Sequence, residues 1–328
     1  MSQIKETNKK KVLMVQGLHE EGVKLLQQRD DIEAITIMSS DEDEIMEAAK
    51  DVHGITVRTA NISRKIIENS KNLAIVSRHG VGYDSIDVNA LNDYGIPLAI
   101  AAHSNMISVA EHAMYMLLAL SKNVFYYDQF ARKADWTNRW DIKAWDLAEK
   151  NILVVGFGRI GSRLVKRAKA FDMNVFVYDP YVNPSEIKNS GAIHVDNYKA
   201  ILAKMDAVSL HCPKNEDTTN MFSSEEFSIM KDTSFLINCA RGGIVNEIAL
   251  HEALTSKKIR AAGLDVYDDE PSTSSNPLFS LENVLLSPHI AGVTVEATIR
   301  MSKQSVQNVL DLFDNKINPE VIINKNVL

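Results

Sequence analysis

The stretch LSPHIAG, residues 286–292, places a histidine directly after a proline at the end of a short apolar run. Pro288 fixes its own φ and biases Ser287 towards an extended conformation, so the pattern predicts a strand that ends in a loop carrying His289. A neutral imidazole can accept a proton near neutral pH and an imidazolium can return it, which makes His289 a candidate acid–base catalyst. Taken alone, the motif favours the simpler interpretation of a polar residue at a strand end.

A second group of residues with chemical potential is the glycine run LVVGFGRIGSRLVKRAKAF. Gly156, Gly158 and Gly161 have the spacing G-x-G-x-x-G between an apolar run and a helical pattern, where they allow a tight turn, close approach of a pyrophosphate and close helix–strand packing. The next apolar run, NVFVYD, ends at Asp179. A carboxylate there can accept hydrogen bonds from both ribose hydroxyls of NAD and would repel the 2′-phosphate of NADP. The pattern therefore predicts NAD as the cofactor.

Short β-branched runs alternate with helical patterns along the chain, which is typical of parallel βαβ units. We predict a first series of five strands and a second series of six, at residues 11–16, 32–38, 54–59, 73–78 and 97–101, then 151–156, 174–179, 207–212, 234–239, 261–266 and 283–287. A long helical region, roughly residues 107–135, separates the two series. Another helix begins after Gly292, too late to extend the second sheet, and we expect it to return to the first domain.

These elements predict an α/β fold with two doubly wound parallel-sheet domains. We expect a Rossmann cofactor domain at residues 105–292 and a flavodoxin-like, discontinuous substrate domain at residues 1–104 and 293–328. The length of 328 residues suits two domains.

Composition excludes several classes of partner. The formal net charge of -7 would repel phosphate backbones, and no dense basic stripe overrides it, so we expect no nucleic acid partner. The polar start MSQIKETNKKK lacks the apolar core of a secretory signal, and no run of apolar residues is long enough for a membrane span. The two cysteines, Cys212 and Cys239, form no C-x-x-C motif. We therefore expect a reduced cytoplasmic protein without a protein-bound metal.

Four motifs together resemble one enzyme family. In order, GFGRIG, NCARGGIVNEIALHEAL, AAGLDVYDDEP and LSPHIAG resemble the D-isomer-specific 2-hydroxyacid dehydrogenases, and the resemblance covers about residues 10–325. VRTANIS, SRHGVGYDSIDV and SVAEHAM are similar to the 3-phosphoglycerate dehydrogenase branch. Some phosphoglycerate dehydrogenases carry a C-terminal regulatory extension, which we do not expect here.

The resemblance implies a catalytic set of Arg241, Glu270 and His289. His289 would be the acid–base catalyst, and Glu270 would hydrogen-bond its imidazole, fix the tautomer and stabilise the imidazolium. Arg241 would bind the substrate carboxylate through its fork of donors. Each of the three stands just beyond a strand of the second series, where an open α/β sheet places its ligands.

The resemblance also implies further binding residues. Asp265 matches the family residue near the nicotinamide carboxamide, although an aspartate that merely closes a strand is a nearly equal alternative. Gly80 and Gly82 belong to a loop that would offer backbone N–H groups to the substrate carboxylate. We predict that the cofactor-binding set also contains Arg159, Ile160, Cys239, Ala240, His289 and Gly292, and that the substrate loop is Arg78, His79, Gly80, Val81 and Gly82. Three other histidines are interpreted as structural: His103, His194 and His211.

The substrate is predicted from Arg58, which ends the run GITVRT. The matching position in the phosphoglycerate branch binds the substrate's phosphate, so we expect an acid with a second anionic group and predict 3-phosphoglycerate or 3-phosphohydroxypyruvate. Arg139 of a neighbouring subunit is a weaker candidate for added charge. The alternatives are sulfolactate, which keeps the second anion, and a glycerate- or glyoxylate-type substrate, for which Arg58 would be a surface arginine.

Two other functions remain open from the sequence. A formate dehydrogenase of the same superfamily would carry a glutamine where this chain has Glu270, which counts against it. A non-catalytic, dinucleotide-sensing binding protein is a different class, and the intact catalytic set counts against that as well. The resemblance further implies a homodimer through the cofactor domains, with the apolar helix at 107–120 as a candidate contact.

Overall fold

Two parallel sheets organise the residues described by a computed structural model of the chain, 9–141 and 143–328. Unit 1 comprises the described residues up to Asn105 together with Val293–Leu328, and unit 2 comprises the described residues of Met106–Gly292. Most of the polar start quoted above, residues 1–8, lies outside the described residues. Within the described ranges, no helix has the length and apolar character needed to cross a membrane.

The strands and helices alternate along most of the chain. The strands are β1 (Lys10–Val15), β2 (Ile32–Ile37), β3 (Gly54–Val57), β4 (Ile75–Arg78), β5 (Leu98–Ile100), β6 (Asn151–Val155), β7 (Asn174–Tyr178), β8 (Ile193–His194), β9 (Ala207–Leu210), β10 (Phe235–Asn238), β11 (Ala261–Leu264) and β12 (Val284–Leu286). The helices are α1 (Glu20–Gln27), α2 (Glu42–Ala48), α3 (Arg64–Asn69), α4 (Val88–Asp93), α5 (Met106–Ser121), α6 (Val124–Arg132), α7 (Gly161–Ala170), α8 (Pro184–Asn189), α9 (Ser224–Ile229), α10 (Glu247–Thr255) and α11 (Val295–Phe313).

Unit 1 is a five-stranded sheet in the order β2-β1-β3-β4-β5, with every neighbouring pair parallel. This is the flavodoxin-like order of a doubly wound sheet. The late helix α11 belongs to this unit because it packs against α1 and against β3, β4 and β5. Its N-cap is Thr294, whose side chain accepts a hydrogen bond from the backbone of Ala297. Asn308, on the same helix, donates to the carbonyl oxygen of Ile100 at 3.1 Å.

Unit 2 is a seven-stranded sheet in the order β12-β11-β10-β9-β6-β7-β8, again parallel throughout. The order reverses at β6, as in a Rossmann fold, and ligands of such sheets bind at the carboxyl ends of the strands near that reversal. Both strand orders confirm the predicted fold class. The sequence-based prediction of six strands was wrong by one, because β8 has only two residues, too few to show a period.

The helical region predicted at 107–135 is divided into α5 and α6. The break is at Asn123, whose φ of 49° lies in the left-handed region and ends the first helix. Helix α5 packs against α7, β10 and β11 and contributes Val109, Ala113, Met116 and Leu117 to the core of unit 2. Its apolar character is therefore used mainly within the unit.

Candidate active site

The catalytic histidine and glutamate predicted from the sequence lie together in unit 2. His289 follows β12 and Glu270 follows the neighbouring strand β11, and His289 Nδ1 lies 2.5 Å from Glu270 Oε2. The other carboxylate oxygen of Glu270 accepts a hydrogen bond from the backbone N–H of Tyr267 at 2.9 Å. Both carboxylate oxygens are therefore engaged, and the carboxylate holds the imidazole through Nδ1. Nε2 is left as the ring nitrogen available for proton exchange, on a side chain that is 48% exposed.

The electrostatic environment keeps Glu270 ionised. Burial acts to raise the pKa of Glu270, but the hydrogen bonds from His289 and the Tyr267 backbone outweigh it, and the charges of His289 and Arg241 add to their effect. The net result is a pKa below the usual value. The carboxylate is thus in the form that favours a positively charged imidazole beside it.

The backbone of His289 is held in an unusual conformation. Its φ is 53°, in the left-handed region that few residues other than glycine adopt. The N–H of His289 donates to the backbone oxygen of Asp265 at 2.8 Å. The carboxylate of Asp265 accepts the N–H groups of Ile290 at 2.8 Å and Ala291 at 2.9 Å. Asp265 therefore fixes three successive N–H groups of the loop that carries the imidazole.

Arg241 lies on the loop after β10, the strand beside β11. Asn238 braces this loop, since its side chain donates to the carbonyl of Arg241 at 2.9 Å and accepts from the N–H of Ala240 at 3.0 Å. Gly242 continues the loop so close to the Tyr267 carbonyl that an added Cβ would lie 1.7 Å from its oxygen. Only glycine fits there without moving the backbone. This contact joins the loop of Arg241 to the loop that leads to Glu270.

The glycine turn links β6 to α7. Its first and third positions each require glycine, for different steric reasons. Gly156 has a φ of 96°, and a Cβ there would lie 2.7 Å from the carbonyl oxygen of His211. A Cβ at Gly161 would lie 1.9 Å from the carbonyl oxygen of Gly156, so the helix and the turn touch directly. Gly158 differs, because a Cβ there would meet no atom of the described residues within 4 Å. The space above Gly158, at a helix N-terminus, fits the approach of a pyrophosphate.

Asp179 follows β7 and braces the glycine turn. One carboxylate oxygen accepts the N–H of Phe157 at 2.8 Å, and the other accepts the N–H groups of Tyr181 at 2.9 Å and Val182 at 3.1 Å. A carboxylate has about four acceptor sites, so these three bonds leave about one, on the oxygen that accepts from Phe157, for a ribose hydroxyl. The turn and the acid together fit a dinucleotide such as NAD.

The remaining predicted cofactor residues surround these loops. Cys239 is buried with its thiol 3.8 Å from the sulfur of Met116, and burial raises its pKa well above the usual value. Ala240 is also buried, Arg159 is exposed and Ile160 half-buried at the start of α7, and Gly292 is half-buried at the end of unit 2. Of these, Cys239 could contribute only backbone groups, because its thiol points at methionine.

The predicted substrate residues of unit 1 form a separate group at the ends of β3 and β4. His79 is 6% exposed, and its Nε2 has no hydrogen-bond partner among the described residues. Burial, together with the charges of Arg78 and Arg58, lowers the pKa of His79 to about 4. Arg78 donates to the carbonyl oxygen of His79 at 2.7 Å. Gly80 has a φ of 142°, which lets the chain turn directly over the Arg78 guanidinium.

The continuation of this loop, Val81 and Gly82, is half-buried, whereas Arg58 is exposed at the end of β3. The structure thus brings Arg58, Arg78 and His79 together within unit 1. Two guanidinium groups beside a neutral imidazole make this a positively charged group of side chains.

Sequence reasoning missed the roles of two polar residues that contact each other close to the loop of His289. Ser287 donates its hydroxyl hydrogen to Asp265 at 2.5 Å, and His112 Nε2 lies 2.9 Å from the same hydroxyl oxygen. His112 comes from α5, which is far away in sequence, and although it belongs to the motif SVAEHAM, the sequence predicted no role for it at the site. The one signal was a histidine inside an otherwise apolar pattern.

The comparison with protein families decides where the chain belongs. Residues 114–291 match the family described as D-isomer specific 2-hydroxyacid dehydrogenase, NAD binding domain. The chain belongs to this family. The resemblance inferred from its motifs is confirmed, and so is the prediction of NAD as the cofactor of unit 2.

Individual relatives agree. A D-3-phosphoglycerate dehydrogenase of Methanocaldococcus jannaschii is 38% identical over 288 residues, 88% of this chain and 54% of that protein. A hydroxypyruvate reductase of Thermotoga maritima is 34% identical over 89% of this chain and 94% of that protein. A solved structure of NAD-dependent formate dehydrogenase from Staphylococcus aureus in complex with NAD has 27% identity and a TM-score of 0.84, covering 95% of this chain and 98% of that one. The chain spans about half the length of its phosphoglycerate dehydrogenase relatives.

Proposed function

We propose that this family member is an NAD-dependent oxidoreductase that interconverts a D-2-hydroxy acid and its 2-oxo acid. The observation that carries the proposal is the pair of His289 and Glu270, whose Nδ1 and Oε2 are 2.5 Å apart in the NAD-binding unit. The loop of Arg241 lies beside them, after the next strand. Of the predicted site residues, these three account for the chemistry.

Oxidation of a 2-hydroxy acid removes a hydride from C2 and a proton from the hydroxyl group. NAD, when bound, supplies the acceptor of the hydride. His289 takes the proton at Nε2, since Nδ1 is engaged by Glu270. The ionised Glu270 stabilises the imidazolium that forms, and Arg241 binds the carboxylate of the acid. In the reverse direction the imidazolium returns the proton to the oxygen of the 2-oxo acid.

We propose 3-phosphoglycerate and 3-phosphohydroxypyruvate as the preferred pair. The positively charged group of Arg58, Arg78 and His79 supports this, because a substrate with one carboxylate has no second anion to place there. The names of the phosphoglycerate dehydrogenase relatives agree with the choice. Sulfopyruvate also carries a second anionic group, with a single charge, and is the nearest chemical alternative.

Hydroxypyruvate is the second candidate substrate. The Thermotoga maritima relative, matched over 94% of its length, is named a hydroxypyruvate reductase. This substrate has one carboxylate and a neutral hydroxymethyl group, so it would make no use of the charge of Arg58. The two candidates therefore differ in their dependence on one guanidinium.

We further propose a cytoplasmic homodimer joined through unit 2. Several large apolar side chains of this unit are exposed, with Phe125 at 63%, Trp136 at 72% and Trp140 at 75%. They lie beyond α5, so the contact would involve α6 and the segment that follows it. The guanidinium of Arg139 lies over the ring of Trp140, 4.8 Å from the ring centre. Arg139 would therefore lie in that contact.

The test is turnover with NADH and a panel of 2-oxo acids: phosphohydroxypyruvate, sulfopyruvate, hydroxypyruvate, pyruvate and glyoxylate. We expect kcat/KM to be highest for phosphohydroxypyruvate. A preference for hydroxypyruvate or glyoxylate would contradict the proposed substrate but would still agree with the proposed reaction. Absence of turnover with every acid, while NADH binds, would favour a dinucleotide-sensing protein instead.

A further inference from the structure

A chain of three polar side chains runs from helix α5 to the loop of His289, all within unit 2. His112 Nε2 lies 2.9 Å from Ser287 Oγ, and Ser287 Oγ lies 2.5 Å from Asp265 Oδ1. The two oxygens of Asp265 in turn accept the backbone N–H groups of Ile290 and Ala291. The chain ends on the residues that directly follow His289.

The direction of each hydrogen bond follows from the groups involved. Asp265 accepts a backbone N–H on each oxygen, so its carboxylate acts as an acceptor. The single hydroxyl hydrogen of Ser287 is therefore donated to Asp265. The Ser287 oxygen can then only accept from His112, which must carry its hydrogen on Nε2. The contacts thus select the Nε2–H tautomer of His112.

His112 acts here as a neutral donor. Burial lowers its pKa, and the charge of Asp265 opposes that shift only in part. The ring therefore carries a single hydrogen near neutral pH, and the Ser287 contact places that hydrogen on Nε2.

These hydrogen bonds from His112 through Ser287 to Asp265 affect the backbone conformation of His289. Asp265 is 1% exposed, and a carboxylate buried that deeply is stable only when donors surround it. The donors include the loop N–H groups that hold His289 at a φ of 53°. A non-glycine residue keeps such a conformation only where its surroundings over-determine it. If the Ser287 hydroxyl turned away, Asp265 would lose a hydrogen-bond donor, and its hydrogen bonds to the N–H groups of Ile290 and Ala291 would change.

We propose that His112 is a positioning residue for His289, acting through Ser287 and Asp265. Its Nε2–H keeps the Ser287 hydroxyl directed at Asp265, and Asp265 keeps the loop in the conformation that presents the imidazole. The proposal deepens the proposed function, because it rests on His289 as the acid–base group.

Four variants test the proposal by turnover: His112→Phe, His112→Gln, Ser287→Ala and the double variant His112→Phe with Ser287→Ala. Loss of one neutral hydrogen bond should lower kcat by about 3- to 10-fold in His112→Phe. Glutamine places an amide N–H near the position of Nε2, so His112→Gln should stay close to the unmutated protein. The double variant should be no worse than Ser287→Ala, since both changes break the same chain. Glu111→Gln, at an exposed neighbouring position on α5, is the matched control and should have no effect.

The pH profile separates positioning from proton transfer. Glutamine does not titrate, so an active His112→Gln variant with an unmoved pH profile supports a role through the hydrogen bond alone. A His112→Gln variant as poor as His112→Phe, or additive effects in the double variant, would overturn the proposal.

A spectroscopic readout keeps this inference separate from the proposed function. In the protein labelled with ¹⁵N-histidine, we expect long-range ¹H–¹⁵N spectra to show His112 with hydrogen on Nε2 and a bare Nδ1. The amide signals of Ile290 and Ala291 should move in His112→Phe and not in His112→Gln. The opposite tautomer would overturn the inference even if the enzyme turns over. The expected spectra without turnover would overturn only the proposed function.

Discussion

The polar groups at the carboxyl ends of the two sheets differ in how they are held and in their charge. In unit 2, His289 is bound to Glu270, and Glu270 is bound to the backbone of Tyr267. In unit 1, His79 is a buried imidazole whose Nε2 has no hydrogen-bond partner within the described part of the chain, and it lies beside two guanidinium groups, one of them on the exposed Arg58. The first group fixes the orientation of a side chain, whereas the second concentrates charge.

The difference corresponds to two separate requirements of the proposed reaction. Proton transfer needs the donor and acceptor atoms held in one geometry, which the hydrogen bonds of unit 2 provide. Recognition of a second anion needs positive charge more than a single orientation, which the arginines of unit 1 provide. Changes in unit 2 should therefore reduce turnover of every substrate, and changes in unit 1 should alter the choice of substrate.

The largest effect is expected for His289→Asn. Asparagine keeps a polar side chain in the loop but cannot accept the substrate proton, so kcat should fall by about 100- to 10,000-fold for every 2-oxo acid. NADH binding, measured by fluorescence titration, should hardly change. His251→Asn, on α10, is the control for loss of a histidine. A fall restricted to one substrate would contradict the assignment of His289 to proton transfer.

Arg58→Leu tests whether the positive charge of unit 1 selects the substrate. Loss of a charge-assisted hydrogen bond should lower kcat/KM by about 10- to 100-fold for phosphohydroxypyruvate and sulfopyruvate. Pyruvate, glyoxylate and hydroxypyruvate should be almost unaffected, because they carry no second anion. Arg64→Leu, an arginine in the same unit, serves as the control, since its surface ion pair with Asp93 contributes little. An equal fall for all five acids would make Arg58 a structural residue.

Glu270→Gln should produce a smaller loss, about 10-fold in kcat for one charge-assisted hydrogen bond, together with a pH profile of reduction that is displaced. Reduction requires the imidazolium, so its rate falls as pH rises and His289 loses its proton. The pKa of Glu270 is lowered in the folded protein, so the carboxylate is ionised across the assay range and stabilises that imidazolium. Removing the charge should move the fall in rate to lower pH. A profile that stays in place would remove Glu270 from the mechanism.

Asp179→Asn should give the smallest change, chiefly in cofactor choice. The amide oxygen can accept from Tyr181 and Val182, but the amide nitrogen then faces the N–H of Phe157, so one hydrogen bond is lost together with the negative charge that would repel a 2′-phosphate. We expect the preference for NADH over NADPH to narrow by about 3- to 10-fold, roughly the effect of one weakened polar contact. Asp217→Ala, an exposed acid of the same unit, is the control. Equal use of both cofactors by the unmutated protein would contradict the role of Asp179.

The sequence by itself determined the fold class, the family and the cofactor. The alternation of β-branched runs and helical patterns is local, and each run of apolar residues needs only its own period to be recognised. The glycine turn is equally local, because its steric requirements at Gly156 and Gly161 involve a single strand–turn–helix unit. The edge strand β8 was missed because two residues carry no period.

Only the tertiary structure decided how the polar side chains are held. Nothing in the sequence near His289 indicates its left-handed backbone, since that conformation depends on Asp265 from the neighbouring strand. The approach of His112 to Ser287 joins positions that are 175 residues apart, and such a contact follows from the packing of α5 on the sheet. The charge around His79 arises in the same way, from loops after two adjacent strands. Hydrogen bonds and charges between distant segments depend on distances that no local pattern encodes, so the sequence named the reacting groups and the fold set their geometry.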